Sequence, residues 1–277
     1  MVAALILPAV INETRDKEYA AARKKALASI GEAVRIITIH GDVQSAKNAE
    51  DFVENYLKKH LQITKTCGNN SLRDCGIETG ANKIISLAGK NITMPVKISE
   101  LGASMSAGET IDPSSKSYGF VMANGYSVNL FYNPLCLSDS NEARYSQDNV
   151  CVNVIYDMNG LRGPNKVGKD IGFVTILYPD EQTTAVAPDV YNSNAKNASF
   201  YKAGASCANL DKELTVPNRE ELTAIRFNGN VVGFSLGSSW YWSSSEHSAW
   251  LGWLQRGDGL LYGSSKSDVL SVRCIRR

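Results

Sequence analysis

The chain has 277 residues and a formal net charge of +1. That length favours two domains over one, each able to bury a core of its own. The near-neutral balance supplies no electrostatic attraction for nucleic acid, which is not an expected partner.

The N-terminal run Met1-Val-Ala-Ala-Leu-Ile-Leu-Pro8-Ala-Val-Ile11 is apolar. It falls short of the roughly 20 residues that cross a bilayer, and it lacks the basic region of a signal peptide. Residues 9 to 39 follow as one long helix, because Tyr19, Ala22, Ala26, Ile30, Ala33 and Ile37 recur at helical steps. Gly41 is expected to end it. A second helical stretch runs from Ala46 to Leu61, with Phe52, Val53, Tyr56 and Leu57 as its buried side.

From Ile84 to Tyr178 the pattern is that of strands. Residues 117–123, 126–132, 150–156 and 171–177 are short β-branched or aromatic runs. Asn124-Gly125 between the first two is a strong hairpin signal. An antiparallel sheet packed by the long helix is the expected first domain, residues 1–180. Residues 179–199 are rich in Pro, Asp, Asn and Ser and read as a linker into a second domain, residues 181–277. There, residues 200–210 read as a helix. Asn218 and Glu221 form the capping box of another.

Six cysteines, Cys67, Cys75, Cys136, Cys151, Cys207 and Cys274, fall as sequence-ordered pairs. None forms a C-x-x-C, and no histidine lies near them, so zinc is not expected. They are either buried free thiols or three disulfides of an exported protein. The second is the expectation, because two of the intervals close short polar loops. Connectivity does not follow from sequence.

All four tryptophans fall between Trp240 and Trp253. Around them stand side chains of every chemical kind, a pattern suited to a recognition surface. Trp242, Trp250 and Trp253 are expected to pack the scaffold, with Trp240 open between scaffold and surface. Leu251, Leu254 and Leu261 are either core or contact residues. His40, His60 and His247 suggest no Ser-His-Asp or Cys-His arrangement, and no G-x-S-x-G or Gly-rich phosphate loop is present. The expectation is a non-enzyme without cofactor or metal.

The segment from Ala3 to Ala9 and the amphipathic helix after it resemble the first helix of type IV pilins and type II secretion pseudopilins. Residues 52–75 resemble a cysteine-bearing loop of pilin-like proteins. Residues 157–170, Asp-Met-Asn-Gly-Leu-Arg-Gly-Pro-Asn-Lys-Val-Gly-Lys-Asp, resemble their loop between the last strands. In these the glycines supply positive φ. Asp157, Asn159, Asn165 and Asp170 either bond local backbone or ligate calcium. The resemblance implies other pilin subunits as partners through the helix. It also implies an inner-membrane stage before filament assembly, through a hydrophobic half-helix of which little is present here.

Residues 185–277 resemble bacterial C-type lectin-like domains related to formylglycine-generating enzymes. The carrying residues are Ala203 to Leu210, Val216 to Leu222, Tyr241 to Glu246, Ala249-Trp250 and Val272-Arg273-Cys274. That resemblance implies a Cys207–Cys274 disulfide. The calcium-dependent sugar motifs Glu-Pro-Asn, Gln-Pro-Asp and Trp-Asn-Asp are absent from the chain, and so is the catalytic cysteine pair. The implied fold class is α+β: a pilin-like long N-terminal helix packed on an antiparallel sheet, then a C-type lectin-like domain.

Such domains also serve as variable proteins of diversity-generating retroelements, which mutate adenines mostly in AAC codons. Those codons never become Trp, Gln, Lys, Glu or Met. Trp242, Glu246, Trp250, Trp253, Gln255 and Lys266 would then be fixed. His247, Leu251, Arg256, Asp258, Leu260, Leu261, Tyr262, Ser264, Ser265, Ser267, Asp268 and Leu270 are the expected variable, ligand-binding residues. The implied function is a surface or pilus-associated display protein binding a variable extracellular protein or glycan. The alternative is a structural minor pilin or pseudopilin without a ligand, and an enzyme is a third and weaker class.

Overall fold

Consecutive β-branched and aromatic runs pair with their neighbours in chain order and build a meander. The computed structural model describes residues 3–40, 43–80, 84–86, 88–101, 115–134, 150–163, 165–177, 189–190, 195–233 and 236–276, with side chains from Lys17 onward. Strands β1 (Ile63–Gly68), β2 (Tyr118–Met122), β3 (Ser127–Tyr132), β4 (Val150–Asp157) and β5 (Ile171–Leu177) pair antiparallel in chain order. The expected hairpin is present: Gly125 takes φ +85°, and the Met122 N–H donates to the Tyr126 carbonyl at 3.0 Å. Only glycine enters that region without steric cost.

Every residue of β3, β4 and β5 is buried. Both sheet faces are therefore covered, which is why these strands read as continuous runs and not as alternations. On one face Phe120, Val128, Tyr132, Val154 and Val174 meet Ile30, Ala33, Val34 and Ile37 of helix α1 (Ala3–Ile39), together with Phe52, Val53 and Leu57. On the other, Phe131, Ile155 and Phe173 meet Leu72, Ile77, Met94 and Ile98. Ala224, Phe227, Val231 and Val232 from much later in the chain complete that layer.

The expected fold is corrected on this point. A pilin-like arrangement, with one long helix packed along the sheet, does not describe the molecule, although its content is α+β. Among the described side chains of α1, those from Lys17 to Lys25 are exposed or half-buried, and the buried ones lie from Ala26 to Ile37. Antiparallel and mixed sheets dominate, and part of the cover on one face of the first sheet, Ala224, Phe227, Val231 and Val232, comes from residues after 200. The apolar stripe of α1 was correctly placed, but its period carries no information about what the opposite sheet face needs. The expected stop at Gly41 lies outside the described residues. The second helical stretch is present, wound as a π-turn over Phe52–Tyr56.

Strands β6 (Ala195–Ala198), β7 (Trp240–Glu246), β8 (Leu251–Arg256), β9 (Leu261–Ser265) and β10 (Leu270–Val272) form a second sheet. Its order is β9-β8-β7-β10-β6, with β7 and β10 parallel. Helix α2 (Phe200–Ala208) covers one face. Helix α3 (Arg219–Phe227) covers the other, and both halves of its expected capping box form: Asn218 Oδ1 accepts from the Glu221 N–H, and Glu221 Oε2 from the Asn218 N–H. The short helix α4 (Gly229–Val232) follows directly.

The junction between the sheets is polar at one buried point. The Asn228 amide donates to Asn153 Oδ1 at 3.0 Å and to Thr175 Oγ1 at 2.9 Å, and it accepts from Asn153 Nδ2 at 3.0 Å. All three residues have less than a few per cent of their surface exposed. Asn228→Ala strands the Asn153 Nδ2 donor in an apolar layer, while the Thr175 hydroxyl keeps its bond to Asn153 Oδ1 at 2.6 Å. The expected loss is about 2 kcal/mol of unfolding free energy, read by denaturant titration.

Cys67–Cys75 and Cys207–Cys274 are disulfides, the second being the pairing that the lectin-like resemblance implies. Cys151 is also disulfide-bonded, and Cys136 lies outside the described residues. No described cysteine is free. Disulfides of this kind persist in oxidising compartments. No helix among the described residues is long and apolar enough to cross a membrane.

The loop after β4 closes on its own backbone. Asp157 Oδ1 accepts from the Asn159 and Gly160 N–H groups at 3.0 Å each, and Asp170 accepts from those of Asn165 and Lys166 at 2.7 and 2.6 Å. These bonds favour the structural reading of the loop over the calcium one, since they occupy carboxylate oxygens that a cation would need. Burial pushes the Asp157 carboxyl up to about 7, its two N–H bonds oppose the shift, and the charge of Asp170 adds to it. From about pH 4 to pH 7 the folded chain keeps a proton that the unfolded chain has released. Stability contributed here is complete at acid pH and falls as pH rises through that window. Asp157→Asn should flatten the slope in melting temperatures measured from pH 4 to 8.

Candidate ligand-binding face

The register of the second sheet sorts the tail residues onto two faces. Trp240 lies opposite Arg256, Tyr241 opposite Gln255, and Trp242 opposite Leu254. Leu254 in turn faces Tyr262. Opposed residues share a face, so Trp240, Trp242, Leu254, Arg256 and Tyr262 point one way and Tyr241, Gln255 and Leu261 the other.

The middle of the first face is core. Trp242 is fully buried, its Nε1 donates to the Ala198 carbonyl at 2.9 Å, and Phe200 meets its ring edge-on at 5.5 Å. Gly252 is obligatory beneath Phe200: a Cβ there would lie 2.5 Å from that ring. The far end of the same face is open. The Trp240 and Tyr262 rings stand 6.2 Å apart, the Arg256 guanidinium lies 5.2 Å over Trp240, and Tyr262 is 63% exposed.

The turn beside this platform is held rigidly from behind. Buried Arg226 donates from Nε to the Gly257 carbonyl at 2.8 Å and from Nη2 to the Asp258 carbonyl at 2.7 Å. A Cβ on Gly257 would fall 1.9 Å from the Gly237 carbonyl oxygen, so only glycine fits there. Asp258 pairs with Arg256, and that hydrogen-bonded guanidinium holds its carboxyl below the ordinary value. Leu260 at the turn is 53% exposed.

The second face is closed by α3. Gln255 donates to Thr223 Oγ1 at 3.0 Å, and Tyr241 packs with Leu222, Ile225 and Ile275. Leu261 packs partly against the layer under the first sheet, and Leu270 partly against the Trp242 core. At the distal end His247 stacks 4.3 Å from Trp253, whose ring also carries the Arg219 guanidinium at 4.9 Å. Leu251 is half-buried nearby. Ser264 bonds Asp268, and Ser265 shares a hydrogen bond with Ser267, all at the surface or half-exposed. Lys266 is buried, with Nζ on the Ala249 carbonyl at 3.2 Å and on Glu246 at 3.0 Å.

The residues of the expected binding set thus divide. Arg256, Asp258, Leu260 and Tyr262 come together at one end of β8. His247 and Leu251 lie at the other, Ser264, Ser265, Ser267 and Asp268 along the edge beside β9, while Leu261 and Leu270 turn inward. Sequence reasoning missed Trp250, which was assigned to the scaffold and is 81% exposed. It stands at a loop tip, where its N–H bonds Ser248 Oγ. The small residues Ser248 and Ala249 before it, the first of them polar, were the available signal of a turn. Trp240 is half-buried, as a platform floor would be.

No family model matches the chain, and no curated protein matches it.

Proposed function

We propose that this chain is a display protein of the cell exterior that binds a ligand through the Trp240–Arg256–Tyr262 end of its second sheet. The observation that carries the reading is aromatic and aliphatic surface left open on a rigid support: Tyr262 and Leu260 are 63% and 53% exposed beside the turn that Arg226 holds. Trp, Tyr and Arg are the residues that most often dominate binding energy, and exposed apolar groups clustered on a braced turn mark interaction sites. The two disulfides suit the exterior. Diversification of the tail and attachment to a filament belong to the same proposal and rest on the sequence resemblances.

Screening the chain against arrays of surface proteins and glycans identifies a ligand for measurement. Trp240→Ala, Arg256→Ala and Tyr262→Ala should each weaken it by about 2 kcal/mol, with melting temperatures close to that of the parent. Unchanged affinity in all three would sink the assignment. Sequences from sibling strains should vary between His247 and Leu270 and be constant at Trp242 and Lys266. Uniform drift along the chain would remove diversification and favour a structural role.

A further inference from the structure

The outer edge of β9 is open to pairing, and its phase can be read from neighbouring bonds. The Arg256 N–H donates to the Leu260 carbonyl at 2.9 Å, and the Lys266 N–H to the Trp250 carbonyl at 3.0 Å. Hydrogen-bonded pairs alternate along an antiparallel ladder. Tyr262 and Ser264 therefore direct their main-chain groups toward β8, and Leu261, Gly263 and Ser265 direct theirs outward. The Ser265 carbonyl is taken by the Asp268 N–H at 2.9 Å. The N–H groups of Leu261, Gly263 and Ser265 and the carbonyls of Leu261 and Gly263 have no main-chain partner among the described residues.

Open edges are ordinarily blunted by a lysine, a proline or a bulge. Strand β1, an edge of the first sheet, carries Lys65 and two register shifts, and β6, the opposite edge of this sheet, pairs across a shift. Strand β9 has none of these: Leu261-Tyr262-Gly263-Ser264-Ser265 pairs with β8 through five consecutive positions without a shift. Tyr262 stands exposed on one side of it, and on the other the His247 ring lies against Gly263.

We infer that β9 accepts an extended segment of a protein partner as an added strand, which makes the ligand of the proposed binding face a polypeptide. This rests on the reading of that face as a contact surface. Alternating donors and acceptors at strand spacing match a polypeptide main chain, and side chains flanking the edge supply selectivity. A second copy of this chain fits less well. Pairing β9 with itself about Gly263 sets Ser265 against Leu261 at both ends, so the occupied Ser265 carbonyl would forfeit a bond twice.

The test uses the full chain and a library of random octapeptides, from which binders are selected and resynthesised with N-methyl groups on alternate amides. One methylated set should lose about tenfold in affinity per amide, the value of one main-chain hydrogen bond, and the other set should bind as the parent does. Ser265→Pro, which removes an outward N–H at a position not bonded to β8, should weaken binding by a similar factor, while Ser265→Ala, which keeps that N–H, should lose less. The methylation series leaves the protein untouched, so it decides the matter even if Ser265→Pro misfolds. Equal loss from both methylated sets, a library without binders, or a dimer of the chain that Ser265→Pro dissociates would each overturn the inference. Peptide binding that fails in Trp240→Ala and Tyr262→Ala but survives Ser265→Pro would remove strand addition and leave the binding face standing. The converse pattern would keep the added strand and remove the platform.

Discussion

Trp242→Ala should destabilise the chain by about 4 kcal/mol, the range found when a fully buried large aromatic is cut to a methyl group. The ring has no exposed surface and fills the space between β7 and α2, against Phe200, Leu254 and Val272. Its Nε1 bond to the Ala198 carbonyl ties β6 to the sheet as well. Trp242→Phe keeps most of the volume but leaves that carbonyl unpaired, and about 1–2 kcal/mol should be lost. Chemical denaturation of both variants gives the two differences. If Trp242→Ala melts like the parent, the assignment of this ring to the core is wrong.

Reduction of Cys207–Cys274, or the double change to serine, should cost about 4 kcal/mol. The bond closes a loop with a sequence separation of 67, and chain entropy in the unfolded state gives a term of that size. The bond also joins α2 to the chain just beyond β10. Cys67–Cys75 closes a loop of separation 8, so the same term is smaller there. Comparing the two double-serine variants by urea titration therefore orders them, with the larger loss at Cys207 and Cys274. Equal losses would mean that local contacts and not loop closure govern both bonds.

Local structure was legible where one residue type decides it. Asn124-Gly125 marked a hairpin because φ at Gly125 must be positive. Asn218 and Glu221 marked a helix start because their spacing lets each cap the other. The stripe on α1 marked the face that is buried from Ala26 onward. Long-range packing was not legible. Nothing in the strand runs indicated that Phe227 and Val232 would cover Phe131 and Phe173, since a period of two or of continuous apolarity names no partner. For the same reason the expected helix-on-sheet plan failed.

The candidate site was legible as a region but not residue by residue. Adenine-codon arithmetic separates Lys266 from Leu261, yet it is blind to burial. Leu261 and Leu270 pack against cores, while Trp250 is exposed on its loop. Strand parity would have placed Tyr262 opposite Leu254 only once the register was known. The bulge between Trp242 and Glu246 likewise hides the register of β7 on β8 from the sequence.

The grip of Arg226 on the turn has a consequence for mutational tolerance. Both of its bonds end on main-chain carbonyls, those of Gly257 and Asp258. A brace that holds the backbone does not depend on which side chain stands at 256, 260 or 262; at 258 the carboxylate adds a bond of its own, accepting from the Leu260 N–H at 3.2 Å. Side chains at 256, 260 and 262 can therefore be exchanged while the Arg226 bonds to the turn are kept, so substitution there carries little risk to folding.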